Sequence, residues 1–158
     1  MSKQTPLHAE HLRLGAKITE FGGWSMPLQY TGIIEEHNFT RTSAGLFDVS
    51  HMGRLKVTGK QALPFLEYVL SNNVATMQDG QIRYTFILNE KGGVVDDILI
   101  YRLGAEDFLL VTNAANHTKD VQWLKEHNQQ GAILTDQTQE MGQLALQGPK
   151  AQEVLQRL

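Results

Sequence analysis

Cysteine is absent from the 158 residues of this chain, which excludes disulfides, thiolate metal sites and a cysteine nucleophile. Long apolar runs are absent too, since none approaches the ~20 residues needed to cross a bilayer. The opening stretch, MSKQTPLHAEHL, lacks the apolar core of a secretory signal. A surplus of positive charge is also missing, and a formal net charge of −3 offers no general nucleic-acid-binding surface. No GxGxxG follows a strand-like run and no Walker-type glycine loop occurs, so a nucleotide phosphate cradle is unsupported. What is present, 41% hydrophobic and 20% charged residues, is the composition of a soluble globular protein with one ordinary domain or two small interleaved ones. Neither a membrane nor a nucleic acid is an expected partner, and the cytoplasm is the expected compartment.

Thr5-Pro6 followed by Gly15 predicts a short first helix over 6–14, with Thr5 as its N-cap. FGGWSMPLQYTG reads as a strand with turns, and residues 32–44 as a second helix closed by Gly45. From Arg54 the period changes. RLKVTG alternates as a strand does, while Leu63, Phe65, Leu66 and Val69 have helical spacing within 61–70. Residues 84–89, 94–104 and 107–113 form three strands in hairpin succession. Residues 113–116 can cap a helix running to about Asn128, and 132–138 and 141–147 read as two more strands. Segment 54–138 is thus β-α-β-β-β-α-β, an antiparallel sheet with helices in the manner of split β-α-β folds. The final helix, opened near Pro149, has an apolar side of Val154, Leu155 and Leu158 that needs a packing surface, and no residue that closes it.

The run VVDDILIYR places two carboxylates inside an otherwise apolar strand. Alternation gives one face to Val94, Asp96, Ile98 and Ile100, and the other to Val95, Asp97, Leu99 and Tyr101. An ionised acid at the edge of a packed layer is costly unless it is paired or hydrogen-bonded. The bland account makes Gly92-Gly93 a hairpin turn with both acids at its wet mouth.

Six histidines invite a metal, but His8 and His11, one helical turn apart, have no HExxH or clustered carboxylate beside them. They read as exposed helix histidines, and no metal is expected. FDVSHMG, residues 47–53, reads as a loop held by side-chain caps from Asp48 and Ser50. Its functional reading turns Met52 toward a ligand, because methionine adapts well to flat rings.

Five stretches occur in a telling order: TPLHAEHLRLGAKITEFGGWSMPLQY, EEHNFTRTSAGLFDVSHMG, GGVVDDILIYR, VTNAAN followed by Lys119-Asp120, and ALQGPKA. Together they resemble the T-protein of the glycine cleavage system, a folate-dependent aminomethyltransferase family. The resemblance runs from Thr5 to the end. Members of that family are more than twice as long, so this chain corresponds to their N-terminal part.

The resemblance implies an α+β fold in which 54–138, a split β-α-β (ferredoxin-like) unit, is inserted in a second sheet domain. That domain, of the T-protein folate-binding fold, is made of 1–53 and 139–158 and is incomplete without the second half. The implied reaction takes an aminomethyl group from the lipoyl arm of the carrier H-protein and passes its carbon to tetrahydrofolate, releasing ammonia. Asp96 corresponds to the family's catalytic acid, close to the folate amine that attacks the incoming carbon. A fixed carboxylate in a low-dielectric pocket stabilises the iminium-like carbon and the developing ammonium better than water does. Asp97 is then structural. Met52, Tyr84, Asp96, Ile98, Tyr101 and Asn113 correspond to the tetrahydrofolate contacts, although strand parity puts Asp96 and Ile98 on one face and Tyr101 on the other. Further folate and substrate contacts of the family come from its second half. This piece alone is accordingly expected to be inactive and to self-associate.

Three alternatives remain open: a non-catalytic folate-binding module of the same fold, the folate segment of a sarcosine or dimethylglycine oxidase, and a folded fragment without function. The acid retained at Asp96 favours the transferase over the first. Oxidase segments follow a flavin domain, whereas this chain starts at Met1 with the T-protein pattern.

Overall fold

The computed structural model describes residues 2–158. In chain order, the first elements are β1 (Lys3–Gln4), α1 (His8–Arg13), β2 (Lys17–Phe21), β3 (Trp24–Gln29), α2 (Ile33–Thr42) and β4 (Gly45–Asp48). Next come β5 (Gly53–Thr58), α3 (Ala62–Val69), β6 (Ile82–Leu88), β7 (Val94–Gly104), β8 (Asp107–Thr112), α4 (His117–Glu126) and β9 (Ile133–Asp136). Strand β10 (Leu144–Gln147) and helix α5 (Ala151–Leu155) follow. The architecture is mixed α and β. The chain divides into two units, one taking the residues up to His51 with Gly142–Leu158 and the other Met52–Met141. Among the described residues no helix is long and apolar enough to cross a membrane.

In the first unit β3 pairs antiparallel with β2 and parallel with β1, and β4 pairs antiparallel with β10. Three local expectations are revised here. Helix α1 starts at His8, because Thr5 O accepts from His8 N and Pro6 takes the first central position of that turn. Gly45 does not cap α2. It opens β4, and a Cβ there would press on Thr40. His11 is not an exposed helix histidine. It is buried, with Nδ1 2.8 Å from Tyr30 Oη and Nε2 2.9 Å from Asp48 Oδ2. Asp48 also accepts from Ser50 N, as the loop reading expected. Burial would raise the Asp48 pKa, but hydrogen bonds including those of Ser50 and His11 outweigh it and hold the carboxyl below its usual range.

The second unit is a five-stranded sheet, order β6-β7-β8-β5-β9, with every pairing antiparallel. Alternation sends Leu55, Val57, Ile87, Ile98, Ile100, Phe108 and Leu110 to one face, where they join the helices in a single core. Helix α3 meets that face with Ala62, Phe65, Leu66 and Val69, the i, i+3, i+4, i+7 stripe of an amphipathic helix. Each large side chain so buried contributes about 1.5–3 kcal/mol relative to exposure. Helix α4 contributes Val121 and Leu124. The result is a packed sheet in which the start of β7 lies beside the start of α4.

Candidate functional site

The turn before β7 is built by Asn89. Its Oδ1 accepts from Lys91 N and Gly93 N, its backbone N donates to Gly93 O, and Gly92 takes the left-handed backbone the turn requires (φ 76°). The hairpin then departs from simple alternation. Ile87 pairs with Asp96 and Leu88 with Val94, so Val95 is an extra, bulged residue. As a consequence Val94 is exposed and Val95 packs against the core, the reverse of the faces expected for that pair. From Asp96 onward the expected parity is intact.

Asp96 is only 5% exposed, so it is not at a wet mouth. Its Oδ1 accepts from Asn113 Nδ2 at 3.1 Å and Asn116 Nδ2 at 2.6 Å, and its Oδ2 from Asn113 N at 3.4 Å. Burial opposes ionisation, yet hydrogen bonds, those of Asn113 and Asn116 among them, prevail and hold its pKa below the ordinary carboxylate value. The carboxylate also lies beside the N-terminal end of α4, where negative charge is favoured. Asp97, on the other face, is half-buried. Its Oδ2 accepts from Tyr84 Oη at 2.9 Å, and its backbone O from Asn113 Nδ2 at 2.9 Å. Asn113 thus ties both acids to the end of β8.

Of the six residues singled out from the sequence, Asp96 and Asn113 are brought into direct contact. Ile98 shares the Asp96 face and is buried in the core. Tyr84 is exposed and Tyr101 half-buried, both on the face of Asp97. Met52 is half-buried at the start of the second unit, where its carbonyl accepts from the buried Arg54 guanidinium.

Sequence reasoning read Asn116 as part of a helix cap and Lys119-Asp120 as part of the resemblance, but gave none of the three a role in the site. Asp120 is fully buried and faces Asp96. Burial first, and then the Asp96 carboxylate, push its pKa up to about 8. Lys119 Nζ is held by Val95 O at 2.7 Å and stands 3.7 Å from Asp120 Oδ1. One signal was readable: Asp120 lies four residues before Leu124, within the apolar stripe of α4.

The model of the GCVT N-terminal domain matches residues 7–158. This chain belongs to the GCVT N-terminal domain family. An aminomethyltransferase of Desulfitobacterium hafniense (strain Y51) is 52% identical over 157 residues, which is 99% of this chain and 43% of that protein. One of Geobacillus thermodenitrificans (strain NG80-2) is 52% identical over 158 residues, again 43% of its length. The crystal structure of the glycine cleavage system aminomethyltransferase T from Bartonella henselae superposes with a TM-score of 0.89 at 40% identity, covering 99% of this chain and 44% of that one. This GCVT domain therefore spans less than half the length of the relatives it matches.

Proposed function

We propose that this chain is the N-terminal, folate-contacting part of a tetrahydrofolate-dependent aminomethyltransferase of the glycine cleavage system. The whole protein would take the aminomethyl group from the lipoyl arm of the carrier H-protein and pass its carbon to tetrahydrofolate with release of ammonia, in the cytoplasm. Asp96 is the catalytic acid, and Met52, Tyr84, Ile98, Tyr101 and Asn113 join it in contacting the folate. We read Met52–Met141 as a split β-α-β (ferredoxin-like) unit with an added strand, inserted in a sheet domain that further chain completes.

The observation that carries this reading is the state of Asp96, an anion held almost out of water by amide donors. Its donor set fits an amine co-substrate. Oδ1 takes two close amide donors, whereas the N–H donor on Oδ2 is the backbone of Asn113 at 3.4 Å, a long contact that leaves acceptor capacity for an amine. There Asp96 would orient the attacking nitrogen and offset the positive charge that develops on the transferred carbon and the departing ammonia.

The test uses the longer protein that carries this chain, with an aminomethyl-loaded lipoyl carrier and tetrahydrofolate, scoring ammonia and methylenetetrahydrofolate together. Folate binding without release of either product would replace the transferase with the non-catalytic folate-binding module. Absence of both binding and turnover would leave a fold without this function.

A further inference from the structure

The two buried acids of the second unit differ in their donors. Asp96 accepts from three N–H groups of Asn113 and Asn116. Among the described residues, Asp120, fully buried, has no N–H donor on either oxygen. The charged groups facing it are Asp96 from β7 and Lys119 from its own helix. Lys119 is drawn aside: its ammonium bonds Val95 O at 2.7 Å and stays 3.7 Å from Asp120. Two neighbouring carboxyls out of water cannot both ionise, and the one with the donors keeps the charge.

We propose that Asp96 and Asp120 share a single proton, with Asp120 the protonated member and a positioning residue whose O–H holds the Asp96 carboxylate. The pair explains how Asp96 can be stabilised without being neutralised. An arginine or lysine in Asp120's place would satisfy the anion but cancel the charge that a developing cation needs. Asn113, Asn116 and a neutral carboxylic acid satisfy it with dipoles alone, so the full negative charge stays available in a water-poor setting. The raised pKa of Asp120 and the lowered pKa of Asp96 agree with this division. The kinetic part of the inference rests on the reading of Asp96 as the catalytic acid. The proton count does not.

Carbon-13 NMR of aspartate carboxyls in this chain tests the proton count directly. One carboxyl titrating near pH 8 is expected, absent in Asp120→Asn and shifted toward the ordinary carboxylate range in Asp96→Asn. Titration of both groups below pH 5 in the unaltered chain overturns the pair. In the longer protein, the pH profile of transfer tests the positioning role. Asp120→Asn keeps a donor toward Asp96 but cannot ionise, so it should retain neutral-pH activity and lose the fall in rate above pH ~8 that ionisation of the unaltered residue brings. Asp120→Ala removes the donor and should lower kcat by roughly 10–100-fold, with Asn restoring it. An Asn variant as impaired as Ala, or one that keeps the alkaline fall, overturns the role. Normal transfer by Asp96→Asn with the NMR signature intact would instead refute the function proposed for Asp96 while leaving the proton pair standing.

Discussion

Asn116 Nδ2 lies 2.6 Å from Asp96 Oδ1, so the residue preceding α4 grips the carboxylate that β7 carries. Twenty residues separate the two in the chain. The sheet brings them together because β7 and β8 are antiparallel neighbours and the chain turns into α4 straight after β8. An anion so held has little freedom to reorganise, which is the condition for electrostatic stabilisation of a transient cation.

Asp96→Asn in the longer protein should nearly abolish transfer, because shape is kept and only the charge is lost. Asp97→Asn should affect turnover much less, because that carboxylate faces the other side of the sheet and bonds Tyr84. Steady-state rates at saturating folate separate the two. Equal losses in two well-folded variants would remove the distinction.

Asn113→Ala and Met52→Ala should differ in kind. Asn113 bonds Asp96 through both its side chain and its backbone N–H, so its loss should lower kcat as well as weaken folate binding. Met52 has no part in that cage as proposed and should mainly raise the folate concentration required. A Met52→Ala variant with unchanged folate dependence would strike the residue from the binding set.

The pH dependence of stability isolates Asp120. Its pKa is raised from the ordinary carboxylate value of 3.8 to about 8 in the folded chain by burial first and then by the Asp96 carboxylate. Between those values the folded state keeps a proton that the unfolded state gives up, so this group's contribution falls as pH rises from about 4 to about 8. Asp96, with its lowered pKa, acts in the opposite sense and is present in both proteins being compared. Asp120→Asn should therefore be the more stable protein at pH 7, by about 2–4 kcal/mol. The gain should shrink toward zero by pH 4. Urea unfolding at several pH values measures it, and a gain that does not change with pH would contradict the assignment.

The legible parts of this molecule are those where one element's own period carries the information. The α3 stripe of Ala62, Phe65, Leu66 and Val69 and the alternation from Asp96 to Tyr101 are of this kind. The bulge at Val95 was not legible, since two adjacent valines serve either face equally and pairing with β6 decides between them. His11 was misread as exposed because its partners, Tyr30 and Asp48, are 19 and 37 residues away. The same holds for the site. The strand pattern drew attention to Asp96 and the resemblance gave it and Asn113 their roles, whereas Asp120 stands among the apolar positions of α4 with nothing in the helix itself to say that it faces the Asp96 strand.

Gly53→Ala tests how the start of β5 is held. A Cβ there would overlap His117 Nδ1 and Thr112 Oγ1, which are bonded to each other at 2.8 Å. His117 Nε2 is in turn 3.0 Å from Asp136 Oδ2 and 3.1 Å from Thr138 Oγ1, so a ring that yields must stretch or break these contacts. The expected cost is about 2–3 kcal/mol, as for other overpacked sites. It should be read as a lower urea midpoint with an unchanged m-value. A variant as stable as the parent would mean that the His117 network moves freely.

The last expectation concerns this chain by itself. In the first unit, a groove of about 630 Å³ is lined by Tyr30, Ile33, Phe39, Leu46 and Phe47 among others, and all five are exposed. The β4–β10 ribbon has two strands only, so among the described residues its outer edges have no strand partner. Apolar patches and bare strand edges of this kind are usually covered by association, and in a purified preparation the available cover is a second copy. The chain alone should therefore form dimers or larger species, seen as a scattering mass that rises with concentration. It should bind tetrahydrofolate weakly in calorimetry and show no aminomethyl transfer, since only part of the proposed folate contact set is present. A clean monomer that binds tetrahydrofolate tightly would mean that the groove needs no cover and that residues 52–141 already hold the whole folate site.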